Sequence, residues 1–436
     1  MAEPLPTALQ QPDYPDKAAL DAVVRELQGR PPLVTSWEVD RLKSLLAEAA
    51  TGRRFLLQGG DCAERFDECT ADIITNRLKV LLQMSLVLIH GLRLPVIRVG
   101  RFAGQYAKPR SADREVVDGV EMASYRGDII NSPDPDPEKR IPDPRRMLQA
   151  YGYSALTVNF VRALVDGGFA DLHHPENWDV GFVDHAGLRD EYQGIVDAIV
   201  GALQFMGTVS NSSLGDVERV DFYTSHEALL LPYEEALTRD VPKGGHYNLS
   251  THFPWIGLRT AEPGDAHVAY AASIRNPIGV KVGPDTQPST LKRLLNAIDP
   301  DHEPGRITLI TRFGENRVAD ALPRLIAAVQ STGRSLLWSC DPMHGNTEMT
   351  GDGLKTRRFE SIKNELQQVF EVHDRYDSIL GGVHFELTGE NVTECVGGSA
   401  GLTESDLLQA YRSHVDPRLN AEQALEMAFS VVRHRQ

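Results

Sequence analysis

The sequence predicts an α/β fold, a (β/α)8 TIM barrel with N-terminal helices and a helical insertion between strands 2 and 3. Three observations lead there. Eight short apolar runs each end in Gly or polar residues, helical patterns separate most of them, and 436 residues suffice for one large barrel that buries its core without disulfide or metal staples. A doubly wound sheet is the structural alternative. In either fold the chemistry collects at the C-terminal ends of parallel strands, so the residues just after each run carry most of the information.

Taken in order, residues 1–17 are rich in Pro and Gln and read as an arm. Helical periodicity begins near Asp16, with Leu20, Val23, Val24 and Leu27 on one face, stops at Gly29, and resumes from Trp37 to Ala50. Strand-like runs follow at Phe55–Leu57, Val96–Val99, Val220–Tyr223, Phe253–Ile256, Ile278–Val280, Ile307–Ile310, Leu336–Trp338 and Val383–Phe385. Helices are expected at Asp72–His90, Ser289–Ala297, Arg317–Ser331, Thr356–Val372 and Ala421–Arg433, the last with Asn420 as its N-cap. Between the second and third runs lie the Pro-broken loop Ser132–Pro144 and two helical patterns, Arg145–Val165 and Leu188–Met206. A smaller segment, Arg239–Leu249, carries Pro242, Gly244 and Gly245 and reads as a turn or hairpin. The expected organisation is an arm with helices at 1–54 and a catalytic barrel at 55–436, with inserted helices at about 112–215.

Composition narrows the class. With 41% hydrophobic and 24% charged residues and no signal peptide, a cytoplasmic enzyme is the default expectation. The most membrane-like stretch, Asp72–Leu92, contains Asn76, Arg77, Lys79 and Gln83, which are costly in lipid. A net charge of -16 argues against nucleic-acid or anionic-membrane partners, so an anionic substrate must meet a local basic pocket. The cysteines Cys62, Cys69, Cys340 and Cys395 are too scattered for a zinc ribbon or a disulfide framework, and free thiols are expected.

Two sets of residues stand at the strand ends. Cys62, His344, Glu386 and Asp416 offer a thiolate, an imidazole and two carboxylates, a mixture suited to Mn, Co, Fe or Zn. Singly each has a plainer reading: Cys62 as a small buried apolar residue, Glu386 as a salt-bridge partner, Asp416 as a cap, and His344 within the Asp-Pro and Gly-Asn turns of Ser335–Thr347. The second set is cationic: Arg101, Lys108, Arg110, Arg259, Lys281, Arg312 and Lys355. A cation after an apolar strand is expensive to bury unless an anion meets it, so several at one barrel mouth imply phosphate and carboxylate recognition. Ion pairs with the chain's many acids are the competing explanation. Gly59-Gly60, Gly397-Gly398 and histidines such as His173, His174 and His267 are assigned nothing, and Cys340 and Asp341 read as turn or supporting residues.

Long blocks then make a resemblance visible: FLLQGGDCAE (Phe55–Glu64), GQYAKPRSAD (Gly104–Asp113), SHEALLL (Ser225–Leu231), WIGLRT (Trp255–Thr260), NPIGVKVGP (Asn276–Pro284), CDPMHGNT (Cys340–Thr347), KTRRF (Lys355–Phe359), ELTGENVTEC (Glu386–Cys395) and DPRLN (Asp416–Asn420). In one order, from about Gln10 to the C-terminus, they resemble the type II (plant-type) 3-deoxy-D-arabino-heptulosonate 7-phosphate synthases.

The resemblance implies a metal-dependent barrel that condenses phosphoenolpyruvate with erythrose 4-phosphate at the entry to the shikimate pathway. It implies Cys62, His344, Glu386 and Asp416 as ligands to Mn2+ or Co2+. Arg101, Arg259, Lys281 and Arg312 would hold the phosphate and carboxylate of phosphoenolpyruvate, with Trp255, Leu258 and Lys355 among the substrate contacts. Lys108, Arg110 and Ser111 would reach the sugar. Lys108 is the candidate for protonating the aldehyde oxygen, with Glu227 and a metal-bound water as rivals. A homo-oligomer (dimer or tetramer) and a chorismate mutase partner are further implications. An amino-analogue synthase using an imino-erythrose phosphate, and a non-catalytic barrel regulating such a partner, are the alternatives. Three departures bear on this: Leu258 stands where many members have Glu, Val415 where a Cys often precedes the metal-binding Asp, and the N-terminus is short, which puts feedback sites built from that extension in doubt.

Overall fold

The computed structural model describes residues 8–169, 183, 185–209 and 221–435. Its centre is an eight-stranded parallel sheet: β1 (Phe55–Gly60), β2 (Val96–Arg101), β3 (Phe222–Thr224), β4 (Trp255–Ile256), β5 (Ile278–Val282), β6 (Ile307–Thr311), β7 (Leu337–Cys340) and β8 (Leu380–Glu386). The spatial order β3-β2-β1-β8-β7-β6-β5-β4 is sequential. Its two ends meet, because Phe253 N donates to Thr224 O at 3.2 Å, Trp255 N to His226 O at 3.1 Å and Ala228 N to Trp255 O at 2.9 Å. A doubly wound sheet would reverse its order and keep two free edges, so the barrel is the fold. The expected start of the third strand, Val220, lies outside the described residues, as do His173 and His174.

The strands are legible because both faces are covered: every residue of β5 and β6 is buried and apolar side chains dominate both, although Lys281 lies inside β5, one residue before its end, rather than after it. The helices α1 (Lys17–Gln28) and α2 (Ser36–Ala50) start where their caps dictate. Asp16 accepts from Ala19 N at 2.9 Å, and Thr35 and Glu38 form a reciprocal capping box. Leu42, Leu46 and Ala49 of α2 cluster with Leu56, Ile97, Tyr223, Phe253 and Leu337, which seals the N-terminal end of the barrel.

The helix α3 (Ala71–Leu92) is long and apolar enough to cross a membrane by composition, yet two thirds of that window, 67%, is buried in the protein. Its apolar length serves the core instead. Arg77, which made the segment unsuited to lipid, ties the helix to Asp61 and, at 2.5 Å, to Glu68. The remaining helices are α4 (Arg146–Asp166), α5 (Ala186–Val209), α6 (Leu231–Ala236), α7 (Ala266–Ser273), α8 (Pro288–Ile298), α9 (Val318–Gln330), α10 (Phe359–Arg375) and α11 (Ala421–Arg435). Asn420 caps α11 by accepting from Gln423 N at 2.9 Å.

The predicted hairpin near Arg239 pairs Thr238–Asp240 with His246–Asn248. Two further hairpins were not anticipated. Arg114–Val117 pairs with Val120–Ala123 around Asp118-Gly119, both at positive φ, the conformation that Asp-Gly turns favour. Thr347–Met349 pairs with Lys355–Arg357, so α10 begins at Phe359 rather than at Thr356. All four cysteines are free thiols.

Candidate active site

A cavity of ~460 Å3 opens at the C-terminal ends of the strands. It is lined by Cys62, Arg101, Lys108, Arg110, Ser111, Glu227, Trp255, Leu258, Arg259, Lys281, Arg312, His344, Lys355 and Asp416, together with Gln105, Glu115 and Thr347. Every predicted site residue but Glu386 is therefore on its wall. Glu386 ends β8 directly beside Gly60 of β1, fully buried beneath the cavity floor.

Cys62 Sγ and one carboxylate oxygen each of Glu386 and Asp416 lie within 4.8 Å of one another, and His344 Nε2 is 2.8 Å from Glu386 Oε1. The ammonium of Lys108 occupies their middle: Nζ is 2.5 Å from Cys62 Sγ, 2.7 Å from Asp416 Oδ2 and 3.6 Å from Glu386 Oε1. A cation is thus already drawn to the donor set, which fits a divalent ion of intermediate softness. Burial opposes the Lys108 charge, but Asp416, Cys62 and Glu386 hold its pKa well above the usual lysine value. Burial, then the Glu386 charge, pushes the Cys62 thiol up; a bound metal reverses that direction, because a ligating thiol is deprotonated. Glu386 is held far below the usual carboxylate range against the cost of burial, chiefly by His344 and Lys108.

Behind the donors stand Asp341, read from the sequence as a turn or supporting residue, and Arg357 and His384, which the sequence did not single out. Asp341 accepts from His344 Nδ1 at 2.7 Å through Oδ2, the same oxygen that meets Lys281 Nζ. Its other oxygen takes the N–H groups of Met343 at 3.0 Å and His344 at 3.2 Å. Far from being a turn residue alone, it fixes the imidazole's orientation as outer carboxylates do for ligating histidines. Arg357, fully buried, places Nη1 2.7 Å from Glu386 Oε2 and donates through Nε to Thr347 at 3.0 Å. Its signal was available: Lys355 and Arg357 are two apart on a strand and share a face. His384 receives Arg101 Nη1 at 2.9 Å and bonds Gln58 at 2.8 Å inside the barrel.

The cationic set divides in two. Arg101 pairs with Glu386 at 3.1 Å, Arg110 with Glu115 at 2.6 Å, Lys355 with Asp416 at 2.9 Å, and Lys281 with Asp341. Arg259 and Arg312 have no acidic partner among the described residues. Arg259 donates to Ser111 Oγ at 2.9 Å and Arg312 to His344 O at 2.8 Å. Two guanidiniums without counter-ions at one cavity are what an anionic ligand requires. Lys281 is driven down to about 8, by burial above all, opposed by Asp341 and reinforced by Arg101 and Arg312. Glu227 reaches the same space. Its Oε1 is buried without a hydrogen-bond partner, and burial raises its pKa against Lys108 and Lys281.

The model of the Class-II DAHP synthetase family matches residues 5–432. The chain belongs to that family. The phospho-2-dehydro-3-deoxyheptonate aldolase of Neurospora crassa is 49% identical over 442 residues, spanning 98% of this chain and 92% of the relative. Its namesake from Streptomyces coelicolor is 47% identical, covering 97% and 94%. A solved structure of the Francisella tularensis SCHU S4 enzyme of that name superposes with a TM-score of 0.51 over 96% of this chain and 97% of that one. At 15% identity that last likeness speaks for the fold alone.

Within this member of the class-II DAHP synthetase family the departures have structural content. Leu258 is 39% exposed on the cavity wall and rests on Gly283, where a Cβ would lie 2.9 Å from its Cδ2. Val415 packs with Cys62, Ala63 and Tyr125 into an apolar cluster beside the donors. Gly257 backs onto Glu227 Oε1 with no room for a Cβ, so only glycine lets that carboxyl sit where it does.

Proposed function

We propose that the chain catalyses the condensation of phosphoenolpyruvate with erythrose 4-phosphate to 3-deoxy-D-arabino-heptulosonate 7-phosphate and phosphate, the first step of aromatic biosynthesis by the shikimate route. The observation that carries this is one cavity in which a thiol–imidazole–carboxylate cluster meets two arginines that have no counter-ion among the described residues. Neither the amino-analogue reading nor the non-catalytic one has an observation in its favour. A scaffold would have no use for the paired donor and cation sets.

Cys62, His344, Glu386 and Asp416 would hold a divalent ion, Mn2+ or Co2+, which supplies Lewis-acid polarisation of the aldehyde oxygen when bound. Arg259 and Arg312, with Arg101 and Lys281, take the phosphate and carboxylate of phosphoenolpyruvate, while Trp255 supports Arg101 with its ring 5.2 Å below the guanidinium. Arg110 and Ser111 meet the sugar phosphate, and Lys355 and Leu258 complete the wall. Carbon C3 of phosphoenolpyruvate bonds to the aldehyde carbon and the aldehyde oxygen gains a proton, from Lys108 or, as its rival, Glu227. Water adds to the electron-poor C2 and returns a proton to the group that gave one; as the C2 hydroxyl becomes the ketone, the C–O bond breaks and phosphate leaves with that hydroxyl's proton. We extend the same family reading to a cytoplasmic homo-oligomer, with chorismate mutase as a candidate partner.

The experiment is to follow phosphoenolpyruvate absorbance with erythrose 4-phosphate, before and after EDTA and after restoring Mn2+ or Co2+. Activity lost with EDTA and regained with metal is expected. No consumption with any metal sinks the reaction, and consumption indifferent to EDTA sinks the metal assignment.

A pH prediction follows from Lys281. Its ammonium is present below about 8 and lost above, so anion binding weakens as pH rises through that value. The ratio kcat/KM for phosphoenolpyruvate reports the free enzyme and should fall above pH ~8. Lys281→Arg, charged throughout, should flatten that limb; a limb that persists unchanged would assign it to another group.

A further inference from the structure

Glu365 lies on α10, one turn after Ser361 and beside the exposed Asn364, outside the barrel wall and fully buried. No Lys, Arg or His among the described residues forms an ion pair with it. Its carboxylate accepts three N–H groups from two loops: Phe313 N at 2.8 Å and Gly314 N at 3.0 Å after β6, and Asn346 Nδ2 at 2.7 Å after β7. Burial works against its charge and these three bonds support it, so an unpaired carboxyl is a costly choice for a site that needed only bulk. Phe313 follows Arg312, and Asn346 stands two residues past His344. The loops also touch directly: Arg312 donates to His344 O at 2.8 Å, and Gly345 packs on Gly314 with no room for a Cβ.

We propose that Glu365 is a positioning residue which, by gathering both loops on one carboxylate, fixes the spacing between Arg312 and His344. The inference rests on the proposed function, in which Arg312 meets phosphoenolpyruvate and His344 the divalent ion. Lys108, Arg110 and Ser111 belong to the segment after β2, which Glu365 does not hold. Ser361 and Asn364 bind Glu315 further along the β6 loop, at 2.7 and 3.0 Å, and supply a control from the same helix.

The wild-type protein is first shown to consume phosphoenolpyruvate with erythrose 4-phosphate and Mn2+; failure there counts against the proposed function and not against Glu365. Glu365→Gln keeps the shape but turns one acceptor into a donor facing N–H groups. Its KM for phosphoenolpyruvate and its Mn2+ dissociation constant, by calorimetry, should each rise about tenfold or more, the range seen when outer-shell partners are removed. The KM for erythrose 4-phosphate should stay within about twofold, and Ser361→Ala within about twofold in all three quantities. Unchanged phosphoenolpyruvate KM and Mn2+ affinity overturn the proposal. So does an equal rise in both KM values with Mn2+ affinity intact, or the same pattern in Ser361→Ala. If Glu365→Gln shows no cooperative melt, Glu365→Asp, which keeps the charge and shortens the reach, is judged by the same outcomes.

Discussion

Lys108→Met should lower turnover by about 10³-fold while leaving Mn2+ binding intact or tighter. The first half follows from its place: Nζ touches the thiol and Asp416 and stands 3.6 Å from Glu386, where the proposed reaction would develop charge on the aldehyde oxygen. The second half follows from competition. The ammonium now neutralises Asp416 and Glu386, and a methionine leaves that charge to the metal. Calorimetric titration of Mn2+ alongside the phosphoenolpyruvate assay separates the two effects. Near-normal turnover would pass the proton-donor role to Glu227, and lost metal binding would show that the ammonium organises the donors rather than standing in for the ion.

Glu386→Gln should be the most damaging single substitution for stability. The carboxylate is fully buried and faces Arg101 at 3.1 Å, Arg357 at 2.7 Å and His344 at 2.8 Å. Removing one partner of such a network strands buried charge and costs about 3–5 kcal/mol. The native pKa is depressed, so this contribution is complete above the unfolded value of about 4.3 and is lost only as pH falls from there through the native value. Denaturant unfolding at pH 7 with and without metal is the measurement. Metal affinity should fall steeply as well; a variant that unfolds like the wild type and still binds Mn2+ would remove Glu386 from both roles.

Much of the barrel was legible from residues alone, and the reasons are local. Strands such as Ile278–Val282 are covered on both faces, so they must be written largely in apolar residues, and Lys281 stands out as the exception. Helix starts at Asp16, Thr35 and Asn420 are written as caps because the first turn needs an acceptor. The hairpin at Arg114–Ala123 was equally local, with its Asp118-Gly119 turn in plain view, and was lost inside a segment read as helical insertion. That the site gathers at strand ends was also readable, since a parallel barrel leaves only that face for chemistry.

The sequence by itself determined the alternation of strand and helix, the two helices ahead of β1 and the residue types at the open end. Only the tertiary structure decided who meets whom there: Lys108 with Asp416, Arg357 with Glu386, Asp341 with both Lys281 and His344, and Glu365 with two loops. Apart from Asp341 and His344, three residues apart in one turn, these partners are far apart in the chain or hidden on the outside of the barrel. Their pairing is set by distance through a poorly screening interior, where a charge must find a partner or a set of hydrogen bonds, and long separations along a sequence do not encode that distance.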